Sequence, residues 1–540
     1  MLLILALFAA APAAQQADMV VTNALIYTGN PSQPQASSLA VRSGRIVAVA
    51  NNLTRYIGSG TTQVDLKGAT VIPGLIDSHV HMAGLGDMLE TFDLRAVKTI
   101  PQVAEIVRKA SATKKPGEWI RGRAWDQTNW GGSFPDASSL TQAAPNHPVF
   151  LTRVDGHAGW ANRKALEIAG IHKDTPDPPG GRILRDEAGN ATGILIDRAQ
   201  ALVTSKIPAR TPEQVKRMLR RAAQECSRLG MTTVHDAGIG AAELNAYREL
   251  LAAQELPVRI YAMIGGTGDL WQEYQKRGPE IGEHLTVRTI KLMADGAMGS
   301  RGAAFWQPYA DDKTNSDLLI LSREEIEGVA RAAVKTGFQV ATHAIGDRAN
   351  RTVLDAYAAV LRSHNDKRFR IEHAQVVSLP DFALFAKYSV IASIQSTHAT
   401  SDMRWAADRL GPDRLLGAWA SRRFQAAGAT ITNGSDFPVE SANPLWGFYA
   451  AVTRQDRDGN PPGGFLPDQK LTRAEALHSW TAAGAFAAFQ EKDKGTLEPG
   501  KLADFVVLSQ DIMQVPDRDL LDAKVTMTVV GGKTVYPEGR

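Results

Sequence analysis

The chain has 540 residues, 44% of them apolar and 22% charged, which is the makeup of a globular protein long enough to bury a large core. Lys and Arg total 60 against 57 Asp and Glu, a formal net charge of +3, and no basic run is long enough to track a phosphate backbone, which argues against nucleic-acid binding. The single cysteine, Cys226, excludes an internal disulfide and any zinc site built on several thiolates, so metal ligands have to be His, Asp, Glu or Lys.

Residues 2–14 carry no charge, and Ala11-Pro12-Ala13 resembles a cleavage site. A run this short cannot cross about 30 Å of hydrocarbon as a helix. It reads as a removable export signal at 1–14, giving a periplasmic or secreted protein with no stable membrane anchor. Residues 19–27, 38–50 and 61–66 alternate and are β-branched, with Gly, Pro, Ser and Lys-Gly turn signals between them. Strand-like segments return at 502–508, 525–530 and 534–536. The pattern predicts a small composite β-sandwich built from residues 15–73 plus 495–540.

Between these ends, apolar strand-like runs alternate with helical segments such as 212–229, 323–336 and 349–363. The strands are expected at 75–78, 232–235, 259–264, 289–294, 339–343, 369–373, 391–395 and 429–433. Eight parallel strands with intervening helices are the count for a (β/α)8 TIM barrel, here over 74–494. The gap between the first two strands is too long for one helix. Residues 83–210 therefore read as an insertion or lid over the C-terminal face, and they contain Trp125, Trp130 and Trp160.

Five separated sites place a metal-capable side chain at the C-terminal end of a predicted strand. The first is Asp77-Ser78-His79-Val80-His81, where residues i and i+2 of an extended segment point to one side. Lys291 interrupts an apolar strand, His343 and His373 end two more, and Asp436 follows the last in Asn433-Gly434-Ser435-Asp436. Each alone is weak evidence; barrel enzymes nevertheless build their sites at this face from several strands, and the joint pattern points to a metal centre. Imidazole and carboxylate donors suit zinc, and without thiolates manganese or iron also fit.

Residues 71–81, 154–166, 291–304, 342–349, 370–375, 434–440 and 495–508 resemble the amidohydrolase superfamily, and within it the YtcJ-like branch, amidohydrolase family 3, which includes N-substituted formamide deformylases. The last stretch, Gly-Thr-Leu-Glu-Pro-Gly-Lys-Leu-Ala-Asp-Phe-Val-Val-Leu, is a recognisable superfamily ending. The resemblance implies a distorted barrel with the composite sandwich and two divalent metal ions. By it, His79, His81 and Asp436 hold one ion, His343 and His373 the other, and an N-carboxylated Lys291 bridges them. A carbamate makes that lysine an anionic bridge, where a bare ammonium would repel both cations. The implied reaction cleaves a non-peptide C–N bond of a small molecule, such as an N-substituted formamide. A hydroxide held by the metals attacks the carbonyl, and Asp436 carries the proton to the leaving nitrogen.

Further candidates surround this set. His235 ends the second strand and His398 follows the seventh, and both are read as catalytic candidates. His157 and Trp125 of the insertion are candidates for substrate contact. Glu372 either orients an imidazole or pairs with Arg370; Asp347 has the same two readings, with Arg348 as its ion-pair partner. The rival functions are a mononuclear deaminase or an esterase or lactonase of the same superfamily, and a non-catalytic periplasmic binding protein. The deaminases carry a glutamate three residues after the fifth-strand histidine, where this chain has Gly346. A homo-oligomer is left open.

Overall fold

Parallel strands buried on both faces read as near-continuous apolar runs, and eight such runs form the central sheet of this computed structural model. They are Leu75–Val80 (β1), Met231–Ile239 (β2), Arg259–Gly265 (β3), Leu285–Met293 (β4), Gln339–Ala344 (β5), Arg370–His373 (β6), Ile391–Ile394 (β7) and Ile431–Asn433 (β8). Every neighbouring pair is parallel, and spatial order follows chain order. The ring is stitched together at its C-terminal end by the segment after β8. Asp436 N donates to His79 O at 2.8 Å, and His81 N donates to Phe437 O at 2.9 Å. Gly434 has to be glycine for this approach, since a Cβ there would lie 2.7 Å from His79 N. The structure describes residues 16–94, 97–153, 158–178, 181–299, 301–316 and 319–537. The expected leader at 1–14 and His157 lie outside them.

The chain divides into two compact units, Met1–Met82 with Leu219–Arg540, and Ala83–Met218. The first holds the barrel and the composite sandwich expected from the termini. Phe505–Leu508 pairs antiparallel with Thr70–Pro73, so the C-terminal ending enters a six-stranded sheet next to an N-terminal strand. A four-stranded sheet of N-terminal strands faces it, and Ile26, Leu39, Val41, Val71, Phe505 and Val529 fill the layer between. Asp504, in the ending motif, forms a buried bidentate pair with Arg259 at the start of β3, with contacts of 2.8 and 3.0 Å. That pair ties the sandwich to the barrel. Cys226 is buried with its Sγ 3.7 Å from Met82 Sδ.

The second unit has its own six-stranded sheet and its own core. Trp125 was expected to touch substrate, and this is corrected. Its side chain has no exposed surface, its Nε1 donates to Leu151 O at 2.8 Å, and its ring packs edge-on to Trp160 at 5.9 Å. An indole whose donor and faces are all used inside a core has nothing left to offer a ligand. Among the described residues, no helix is long and apolar enough to cross a membrane.

Candidate metal centre

Strand register sets the site. His79 and His81, two residues apart at the end of β1, bring their rings to 5.4 Å between centroids. Asp436 reaches them from a left-handed backbone position (φ 57°), and His373 (φ 72°) and Ala374 (φ 43°) bend the chain at the end of β6. Non-glycine residues pay energy for such conformations and keep them where surrounding contacts over-determine the backbone. Asp77 supplies those contacts on the β8 side. Its carboxylate accepts from Ser435 Oγ at 2.6 Å, Ser435 N at 3.0 Å and His79 N at 3.2 Å, and burial pushes its pKa up to about 7.

Two groups of donor atoms converge, each within 4.8 Å: His79, His81 and Asp436, and His373, His398 and Asp436. His81 Nε2 lies 3.1 Å and His79 Nε2 3.6 Å from Asp436 Oδ1, while His398 Nε2 lies 3.6 Å from Oδ2. His79 Nε2, His398 Nε2 and Asp436 Oδ1 are buried without a hydrogen-bond partner. The 3.1 Å approach of His81 is therefore a convergence of two donor atoms rather than a hydrogen bond. Buried polar atoms left unpaired are costly, and a cation at their meeting point relieves the cost. The residues present thus fit a metal site.

The other ring nitrogens are committed elsewhere. His79 Nδ1 donates to Glu372 Oε2 at 2.5 Å, and His373 Nδ1 donates to Gln395 Oε1 at 2.6 Å, which leaves both Nε2 atoms as acceptors facing the centre. Burial, reinforced by the Lys291 charge, lowers the His79 pKa to about 4, so its imidazole is neutral at physiological pH. Burial raises the Asp436 pKa, but the His81 contact and the imidazoles around it more than offset this and hold the carboxyl below its usual range. Lys291 is buried here too. Its Nζ lies 3.8 Å from Met293 Sδ, and desolvation lowers its pKa.

Three expected roles shift. The second trio contains His398, read from the sequence as catalytic, where His343 was expected. The chain turns from β7 directly into the helix Ser396–Leu415, which aims His398 inward with its ring stacked 5.8 Å from His373. His343 stays beside His373, at 4.5 Å between centroids, but its Nε2 turns to Gly296 O at 3.4 Å. His235 is corrected: it has no exposed surface and meets no open space, its Nδ1 accepts from Arg370 Nη1 at 3.0 Å, and its Nε2 is buried without a hydrogen-bond partner. Glu372 fills both roles weighed for it, holding His79 and Arg370 together. Asp347 does something else, accepting from Trp306 N at 3.0 Å. Gln395, Asp77 and Asp295 were not singled out. Asp295 accepts from Ile345 N, Gly346 N and Ala304 N and fixes the turn after β5. An acidic residue one or two positions past a strand end was the only signal available for it.

Comparison with known proteins bears on the family and the fold. The model of a family described as "Amidohydrolase family" matches residues 62–536. The Protein LONG AFTER FAR-RED 3 of Arabidopsis thaliana is 36% identical over 97% of this chain and 93% of its own length. The putative amidohydrolase YtcJ of Bacillus subtilis is 30% identical, covering 89% and 92%. An N-substituted formamide deformylase of Arthrobacter pascens is 28% identical, covering 97% and 99%. Among solved structures, an uncharacterized metal-dependent hydrolase from Pyrococcus horikoshii superposes with a TM-score of 0.79 at 28% identity, over 92% of this chain and 99% of that one.

Proposed function

The chain belongs to the amidohydrolase family, in its YtcJ-like branch, and is a metal-dependent hydrolase of that superfamily; from this premise we propose that it hydrolyses a non-peptide C–N bond in a small amide. N-substituted formamides are the substrate class to try first, by likeness to the deformylase. The observation that carries the reading is the pair of donor trios sharing Asp436, with unpartnered buried nitrogen and oxygen atoms at their focus.

His79, His81 and Asp436 would hold one divalent ion, and His373 and His398, with His343 alongside, the second; Lys291, N-carboxylated, would join them. Zinc suits this donor set, and manganese or iron are admissible. Such ions, when bound, would supply Lewis acidity and lower the pKa of a water at the site to about 7. The protein's own groups do the rest. Asp436 accepts the proton as the water oxygen bonds to the carbonyl carbon, and delivers it to the nitrogen as the C–N bond breaks. Glu372 and Gln395 hold His79 and His373 in the tautomers that face inward. The uncharged run at 1–14 supports export as a further part of this proposal.

The deaminase alternative needs a glutamate at the position of Gly346. A Cβ built there would overlap the Ala304 carbonyl oxygen, so the loop admits no side chain as it stands. The test is metal analysis of the purified chain together with turnover of a panel of formamides, acetamides, lactones and esters. Expected are about two divalent ions per chain, hydrolysis of amides, and loss of both metal and activity in Lys291→Ala. A chain without bound metal, or one that turns over only lactones or esters, would overturn the reading.

A further inference from the structure

Arg454 follows the helix Pro444–Thr453 in a left-handed position (φ 58°) and is 1% exposed. Its Nε donates to Phe465 O at 3.0 Å and its Nη1 to Trp419 O at 3.3 Å, while Nη2 is buried with no partner. Among the described residues no carboxylate pairs with it, and burial alone drags its pKa down to about 10. An isolated buried cation is costly to keep, so a fold that keeps one has a use for the charge. The other buried arginines of this unit show the contrast: Arg259 has Asp504, Arg368 has Glu491, and Arg370 has Glu372.

A small cavity lies against this guanidinium. It is lined by Arg454, Trp419, Ser421 and Ser396, and also by His373 and His398 of the second donor trio. The indole Nε1 of Trp419 is a second buried donor without a partner. The cavity, about 10 Å³, has room for one ligand atom. The unpaired atoms of Arg454 and Trp419 are both donors, and one unit of positive charge is uncompensated, so the atom these two residues suit is an anionic one.

We propose that Arg454 binds an anionic atom of a ligand beside the metal centre, and that this atom is an oxygen of a carboxylate carried by the substrate. Rooted in the hydrolase reading, the proposal narrows the substrate to amides whose acyl or amine part bears a carboxylate. It favours that source because the cavity wall includes His373 and His398, so a group seated on Arg454 belongs to a molecule that also meets the metal centre. A free chloride ion is the other source of the same chemistry.

The metal-loaded full chain is given matched pairs of N-formyl compounds, one with a carboxylate and one with a carboxamide in its place. In parallel, its thermal midpoint is followed in chloride and in formate at constant ionic strength, against a bulky sulfonate too large for the cavity. Hydrogen bonds to charged groups predict a preference of about ten- to a hundredfold in kcat/KM for the carboxylate member. Arg454→Gln should abolish the preference while the neutral member is still turned over. If turnover shows no preference, but chloride and formate raise the midpoint of the parent and not of Arg454→Gln, the bound atom is a free anion and the anion site stands. If Arg454→Gln fails to fold, Trp419→Phe, which removes the indole donor together with part of the ring but keeps the backbone carbonyl that accepts from Arg454, should weaken whichever response the parent shows. A parent chain with neither carboxylate preference nor anion response overturns the proposal. If no amide is hydrolysed at all, the hydrolytic reading fails separately, and the midpoint titration still decides the anion site.

Discussion

Replacing Glu372 by Gln keeps the shape of a fully buried side chain and removes its charge. The carboxylate touches His79 Nδ1 at 2.5 Å through one oxygen and Arg370 Nε at 2.7 Å through the other, and all three residues have no exposed surface. Removing one member of a buried ion pair leaves the other uncompensated and costs about 3–5 kcal/mol. Arg370 keeps bonds to Ser78 O, Ser393 Oγ and His235 Nδ1, and the glutamine carbonyl still accepts one bond, so Glu372→Gln should fall near the lower end. His79 loses the anionic acceptor that makes its Nε2 a strong donor to metal, which lowers metal affinity by about 10–100-fold. Urea unfolding of the metal-free protein reads the first effect, and competition with a chelator reads the second. Unfolding within about 1 kcal/mol of the parent, with metal affinity within about threefold, would refute the argument that Glu372 is the joint between Arg370 and the metal centre.

Asp436→Asn should retain part of the metal but lose amide hydrolysis by about 10²–10⁴-fold, with activated esters, whose leaving groups need no proton, suffering less. An unchanged amide-to-ester ratio at matched metal content would leave Asp436 as a ligand only. Lys494 is buried with its Nζ 3.2 Å from Thr233 Oγ1; burial, aided by Arg259 and opposed by Asp504, lowers its pKa to about 7. Between pH 7 and the ordinary lysine value the unfolded chain binds more protons than the folded one, so this group makes stability rise with pH by up to about 1.4 kcal/mol per unit. Lys494→Met should therefore be more stable at pH 7 and lose that slope in urea unfolding at pH 7, 8 and 9. Equal slopes in the two proteins would count against it.

Local rules make much of the molecule legible in its sequence. Strands buried on both faces are written as apolar runs, and turn residues punctuate them, so all eight barrel strands can be placed from pattern alone, and most of the composite sandwich with them, though not the short Gln35–Ala36 or Thr70–Pro73, which pairs with the C-terminal ending. Donor residues breaking those runs at their C-terminal ends mark the site, because an imidazole, a lysine or a carboxylate in such a position costs too much to be there without a partner. The motif around Asp504 is recognisable as a local stretch, although its buried partner Arg259 lies 245 positions away. What the sequence could not decide were matters of orientation between distant segments. His343 and His398 are equivalent as residue types, and which of them joins the second trio depends on the Gly296 loop and on where the helix Ser396–Leu415 begins. His235 reads as an active-site histidine until the fold sets Arg370, 135 residues away, against its Nδ1. Trp125 reads as a pocket wall until the insertion closes its own core over it. Arg454 carries no local signal at all, since an arginine after a helix is ordinarily a solvated surface residue. A side chain's chemistry belongs to its type and its local pattern, but its burial and its partners belong to the packing, and only the packing left this one without a counter-charge.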